Sequence, residues 1–264
     1  MIRNGNDSRP AESVLLDHKK ICNQMKAMIF AAGTGSRLQP LTLHKPKALV
    51  EVAGKTMLQH TLEHLKEGGV KEVVINVHHF ADQVRDFLAR HGTWGMDIAI
   101  SDETEELLDT GGGLKKASWF FDDGKPFIVH NVDVLSNLNI KELCRHHTES
   151  QALATLAVRQ RPSSRYLLFD SNNLLCGWEH VKKEEKKMIR NAPEHNRYAF
   201  SGIQVISPDL FPMMPDKKAF PITDVYLEAG KNHPIRAFVE QDSWWFDIGD
   251  PEKLEKARRF MSTR

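Results

Sequence analysis

From Ala31 to Lys47 the chain reads Ala-Ala-Gly-Thr-Gly-Ser-Arg-Leu-Gln-Pro-Leu-Thr-Leu-His-Lys-Pro-Lys, a string whose residue types suit phosphate chemistry. Gly33 and Gly35 let the backbone turn tightly and present peptide N–H groups to an anion. Arg37 and Lys47 add two cations that can follow a phosphate chain. The segment lacks the Gly-Lys-Ser/Thr ending of a Walker loop and the spacing of a dinucleotide fingerprint. Far downstream, Asp133 and Asp247 lie 114 positions apart, each directly after an apolar stretch. Two carboxylates at strand ends can converge on one hard cation, which takes oxygen ligands. Taken singly, each residue has an ordinary alternative: Asp133 caps a loop, Asp247 sits in the turn before Gly249, and Arg37 pairs with a surface acid.

The elements that must hold these residues alternate in type. Lys26 to Ala32 is a short apolar run closed by Gly33, which suits a strand covered on both faces. Met57 to Glu67 has Leu58, Leu62 and Leu65 on one helical face, with Gly68-Gly69 as its stop. Lys71 to Val77 is a second buried strand, and Phe80, Val84, Phe87 and Leu88 follow at helical spacing. Further strands at 97–101 and 127–131 flank a short helix at 114–119. This alternation builds βαβ units with right-handed crossovers.

The second half reads differently. Strands are expected at 153–159, 166–169, 174–179, 199–206 and 235–239, with a hairpin turn at Asp170-Ser171-Asn172-Asn173. Lys182 to Lys187 is a mixed charge run for a solvated loop or hairpin tip. Asp250 caps and Pro251 opens a last helix. The expected fold is α/β: a Rossmann-like, mostly parallel mixed sheet with helices on both faces and an antiparallel extension in its second half. Residues 1–24 read as a polar extension and 25–264 as one domain.

The string at 31–47 resembles the signature of the nucleoside-diphosphate-sugar pyrophosphorylases, the sugar-1-phosphate nucleotidyltransferases. Other stretches resemble that family in the same order. They are Asp109-Thr110-Gly111-Gly112-Gly113-Leu114-Lys115-Lys116-Ala117, Val129-His130-Asn131-Val132-Asp133, Phe200-Ser201-Gly202-Ile203 and Trp245-Phe246-Asp247-Ile248-Gly249-Asp250-Pro251. The likeness covers nearly all of 25–264 and is greatest to short N-acetylmuramate-1-phosphate uridylyltransferases and mannose-1-phosphate guanylyltransferases. It implies a nucleotide-diphospho-sugar transferase-like fold and transfer of a nucleotidyl group from an NTP to a sugar 1-phosphate, with release of pyrophosphate. UTP with N-acetylmuramate 1-phosphate and GTP with mannose or heptose 1-phosphate both stay open. A non-catalytic nucleotide-sugar-binding subunit of the same fold is the alternative.

The resemblance also implies roles. Arg37, Lys47 and Asp133 would be catalytic. Ala31, Ala32, Gly33, Gly35, Ser36, Gly112 and Asn131 would hold the nucleotide. Asn76 joins that group by position, at the end of the second strand, where His78 too is placed to line the base pocket. Ser201, Gly202 and Asp247 would face the sugar phosphate, and Asp133 with Asp247 would hold Mg²⁺. No general base is required, because a phosphate monoester is already ionised near neutral pH. The chain departs from the family at Val132, where Gly is usual, and at Asp250, where Thr is usual; both Thr and Asp cap helices well. The Glu-Lys-Pro sugar-binding segment of longer members is absent, as is a repeat-built acyltransferase domain.

Composition narrows the partners. The 264 residues carry 36 Lys plus Arg against 35 Asp plus Glu, a formal charge of +1, so bulk charge favours neither nucleic acid nor an anionic membrane. No apolar run nears the roughly 20 residues of a membrane helix, and the amino-terminal stretch is too polar for a signal peptide. Cys22, Cys144 and Cys176 form no CxxC pair and read as reduced thiols of a cytoplasmic protein. The expected partners are therefore small-molecule substrates, with a homo-oligomer left open. Adjacent histidines point to different sides of an element, so His78-His79 and His146-His147 read as structural. Trp178, Trp244 and Trp245 read as sheet-face aromatics, Trp178 with a lesser claim on the sugar side.

Overall fold

A computed structural model describes residues 25–264; the expected extension at 1–24, with Cys22, lies outside the described residues. Ala27–Phe30 (β1), almost wholly buried, has parallel neighbours on both sides: Glu72–Val77 (β4) and Phe127–Asn131 (β6). Its last residue, Phe30, stands opposite Asn76 on one side and Asn131 on the other. Asp97–Asp102 (β5) extends the sheet beyond β4. Because β4 and β5 lie to one side of β1 and β6 returns on the other, the crevice between β1 and β6 is where such a sheet takes ligands. Beyond β6 run the antiparallel Asn196–Ile206 (β12), then Ala154–Arg159 (β8), then Ile235–Val239 (β13) parallel to β8.

The strand β12 has a third neighbour. Its first residues, 196–198, pair with Arg165–Phe169 (β9), which continues antiparallel into Leu175–His180 (β10) and Glu185–Met188 (β11). The turn between β9 and β10 is the expected one: the Asp170 carboxylate accepts from the Asn172 and Leu174 amides. The charge run divides, with a helical turn at Val181–Lys183 forming the tip and the rest entering β11. All four β11 residues are exposed, and a Lys-rich edge discourages further strand pairing.

Alternation along β1 sends Ala27 and Ile29 into one core and Met28 into the other. The first core is covered by Met57–Glu67 (α1), Ala81–His91 (α2) and Ile140–Ser150 (α4), the second by Asp109–Lys116 (α3) and Ile222–Ala229 (α5). Helix α1 has the expected bounds, with Thr56 as its cap. The helix expected at 114–119 instead starts at Asp109 and gives way to a 3₁₀ turn at Ser118–Phe121. A third, smaller core joins Leu38, Val52, Met57, Leu135, Ile248 and Leu254. It locks together the loop after β1, the ribbon of Val134–Ser136 (β7) with Trp245–Asp247 (β14), and Pro251–Met261 (α6). Asp250 caps α6 as expected, accepting from the Lys253 amide at 3.0 Å. Among the described residues no helix is long and apolar enough to cross a membrane.

His147 is buried and bonds Thr155, and His146 packs edge-on against Phe238, so that pair serves the core. Cys144 and Cys176 are buried thiols.

Candidate functional site

The chain leaves β1 under restraint. The Ala31 amide donates to the Asn76 side-chain oxygen at 2.7 Å, and the Asn76 amide group donates to Glu103 Oε1 at 2.7 Å. Glu103 is 1% exposed, and burial raises its pKa even though Asn76 and the Leu108 amide donate to it. Asn76 thus positions the loop from behind, both ends of its side chain being engaged within the protein. Gly113 makes room for this relay, since a Cβ there would lie 2.6 Å from Glu103 Oε1. Further on, Gly35 takes φ +65°, and its carbonyl accepts from Thr42 Oγ1 at 2.8 Å. That left-handed turn leaves Gly33, Thr34, Ser36 and Arg37 exposed along one rim.

A cleft of about 300 Å³ opens at the ends of β1 and β6. Of the expected residues, Ala31, Gly33, Gly35, Ser36, Arg37, Lys47, Asn131 and Asp133 line it, with Thr110 and Gly249 as additions. Lys47 is 8% exposed and its Nζ lies 2.5 Å from Asp133 Oδ2. Asp247 arrives by strand pairing: β14 places it opposite Val134, and the next amide, of Ile248, donates to the Asp133 carbonyl at 3.0 Å. Lys253 Nζ sits 2.8 Å from both Asp247 oxygens. Burial works to raise the Asp247 pKa, but hydrogen bonds from Lys253 and the Gly249 amide outweigh it and hold the carboxyl below its ordinary value. Each carboxylate therefore has an ammonium against it.

The other expected residues stand behind the cleft wall. Ala32 is buried. Gly112 is packed so tightly that a Cβ would lie 2.0 Å from the Lys218 carbonyl oxygen, so its glycine answers to helix packing. Gly202, at φ +80°, lets β12 pass Val134 and Asn131, whose atoms would lie 2.8 and 3.1 Å from a Cβ. Ser201 is 1% exposed; its carbonyl accepts from Trp245 Nε1 at 2.8 Å, and its hydroxyl has no partner. His78 donates from its ring to the Glu103 carbonyl, outside the cleft lining. Val132 is the exception: 4% exposed and part of the first core, it also lines the cleft between Asn131 and Asp133.

Sequence reasoning missed Glu103, Lys253 and an arginine, Arg161, stacked on Trp245, while Thr110 lay within a family-like stretch without being singled out. Lys253 alone had a local signal, three residues after the helix cap.

Residues 26–264 match the model of the nucleotidyl transferase family. The chain belongs to that family. It is 47% identical over 234 residues to the N-acetylmuramate alpha-1-phosphate uridylyltransferase of Caulobacter vibrioides, an alignment spanning 86% of this chain and 92% of that one. It is 30% identical over 231 residues to the mannose-1-phosphate guanyltransferase of Yarrowia lipolytica, of which it spans 61%. Among solved structures, HddC from Yersinia pseudotuberculosis complexed with GMP-PN superimposes with a TM-score of 0.73 at 22% identity, over 90% of this chain and 100% of that one. A UDP-glucose pyrophosphorylase complexed with UDP-glucose gives 0.72 at 18% identity, over 91% and 99%. At those identities the nucleotidyl transferase family shares its mixed, mostly parallel sheet with these neighbours.

Proposed function

We propose that residues 25–264 act as one catalytic unit, joining an NTP to a sugar 1-phosphate with Mg²⁺ and releasing pyrophosphate. UTP with N-acetylmuramate 1-phosphate is the first pair to try. The observation that carries this reading is the cleft itself, where a glycine-bearing loop, Arg37, Lys47 and Asp133 meet at the β1–β6 crevice. The 47% identity to the Caulobacter uridylyltransferase, over 86% of this chain and 92% of that one, favours that substrate pair.

The residues fit a divalent ion. Asp133, just before β7, and Asp247, at the end of β14, offer hard carboxylate oxygens, and each already holds a cationic group, Lys47 or Lys253. Bound there, Mg²⁺ would neutralise phosphate charge and align the two phosphates. The protein's own part is positioning and electrostatics. Loop amides at 33–36 would cradle the triphosphate. An oxygen of the sugar phosphate would attack the α-phosphorus as the bond to pyrophosphate breaks. Arg37 would stabilise the charge gathering on the departing oxygens, and Lys47 would turn from Asp133 to the attacking phosphate. Substrates of this kind belong to the cytoplasmic metabolite pool.

The test is pyrophosphate release over a matrix of four NTPs and a panel of sugar 1-phosphates. Release with UTP and N-acetylmuramate 1-phosphate is expected. Nucleotide binding with no turnover for any pair would move the assignment to a non-catalytic subunit.

A further inference from the structure

Opposite the glycine loop, across the Asp247 corner, lies a group of side chains that the reaction above does not use. Arg161 lays its guanidinium on the Trp245 ring, 4.2 Å from the centroid. Trp245 is two residues from Asp247 and bonds the Ser201 carbonyl, while Arg161 Nη2 donates to the neighbouring Phe200 carbonyl at 2.9 Å. A second arginine, Arg159, approaches the same ring at 5.6 Å, yet its charge is met by Glu240 at 2.6 Å. Arg161 differs. Among the described residues it makes no ion pair; its Nη1 reaches only the Pro162 carbonyl, at 3.4 Å, and its buried Nε has no partner. The carboxylate that acts on it most is Asp247, already held by two bonds from Lys253.

A desolvated guanidinium with donors in a planar fork and no carboxylate of its own is suited to receive one from a ligand. Space adjoins it. Phe200, whose carbonyl takes the Arg161 bond, also walls a cavity of about 190 Å³ lined by Tyr166, Trp178 and Tyr226. The Tyr226 hydroxyl is buried there without a partner.

We propose that Arg161 recognises a carboxylate carried by the acceptor sugar, making the enzyme selective for an acidic sugar 1-phosphate. The proposal rests on the nucleotidyltransferase reading and names the acceptor class for it. N-acetylmuramate 1-phosphate bears such a group on its lactyl ether, and N-acetylglucosamine 1-phosphate is the same ring without it.

The experiment measures kcat/KM for these two acceptors, with UTP, in the wild type, Arg161→Gln and Arg161→Lys, each checked by thermal melting. The wild type should prefer the carboxylate-bearing acceptor by about 10- to 150-fold, the range of one charge-assisted pair. Arg161→Gln should lose most of that ratio through KM for the acidic acceptor, with KM for UTP and turnover of the neutral acceptor held. Arg161→Lys should recover part of it, keeping the charge but not the fork. Equal losses on both acceptors would assign Arg161 to the 1-phosphate or to folding and overturn the proposal. So would a wild type that shows no preference, a result that needs no variant. A wild type that turns over neither acceptor, nor any other sugar phosphate with any NTP, would instead remove the nucleotidyltransferase reading beneath it.

Discussion

Two glycines of the cleft and one packed behind it should separate into one binding defect and two stability defects of different origin when each is changed to alanine. At Gly33 an added Cβ meets nothing within 4 Å, and the backbone is not left-handed. Gly33→Ala should therefore leave stability unchanged or raise it by about 0.4–1 kcal/mol through the unfolded chain. At about 2–4 °C per kcal/mol for a chain of this size, Tm should stay level or rise by up to about 4 °C. The added methyl would instead sit where the loop approaches phosphate. Losing one charge-assisted bond, about 1.5–3 kcal/mol, raises KM for the NTP by about 10- to 150-fold. Gly35→Ala faces φ +65° and a 3.0 Å approach to Thr42 Cγ2, so about 1–2 kcal/mol of stability should go first. Gly112→Ala meets the Lys218 carbonyl oxygen at 2.0 Å, a backbone collision whose overpacking cost, about 1–3 kcal/mol, exceeds the roughly 1 kcal/mol gained in helix propensity. Thermal melts paired with NTP-dependent pyrophosphate release read all three. If Gly33→Ala melts well below the wild type with KM for the NTP unchanged, the loop glycine serves the fold and the phosphate role is wrong.

Arg37→Ala should lower kcat far more than it raises KM for the NTP, because its charge partner develops in the transition state; a changed KM with unchanged kcat would contradict that. Asp133→Asn and Asp247→Asn should each remove most activity and shift the Mg²⁺ requirement upward, the pair together costing little more than one. Multiplicative losses at constant Mg²⁺ dependence, in a Mg²⁺ titration of turnover, would show that the two carboxylates act separately. Burial drives His130 down to about 3 and His147 to about 4, against an ordinary 6.5. Between pH 6.5 and 4 the unfolded chain binds the extra protons, so their contribution is full above pH 6.5 and lost as pH falls, by up to about 1.4 kcal/mol per pH unit for each. Urea melts at pH 7, 6 and 5 should show this slope, and His147→Gln should flatten it.

The elements with a clean local signal were legible. The bounds of α1 follow from Leu58, Leu62 and Leu65 with a glycine stop, and α6 from Asp250-Pro251. Helix α4 escaped because its buried face, Ile140, Leu143, Cys144 and His147, includes a histidine that blurs the apolar period. Helix α5 has only 8 residues, too few to display a period at all. The cleft was legible where its chemistry is contiguous, at 31–47, and where a carboxylate ends a strand, at Asp133. Gly112 and Asn76 show the opposite: a residue type suited to a phosphate or a base is used for close packing and for anchoring Ala31. Arg161 could not be found from sequence, since its meaning lies in a missing counter-charge and in a ring 84 positions away.

Besides its pairing with β8, the strand β12 divides between two further neighbours, residues 196–198 lying beside β9 and 203–206 beside β6. Everything between β8 and that division, the hairpins at 165–188 included, is an appendage hung on one half of a strand whose other half is fixed in the parallel sheet. On the proposal that Arg161 reads the acceptor, such an arrangement makes acceptor choice exchangeable. Hairpins can be lengthened, shortened or grafted from a relative, and the register of Ile203 opposite His130, which aligns the cleft, does not change. On that reading the appendage is where acceptor range would change, with the register beside the β1–β6 cleft left in place.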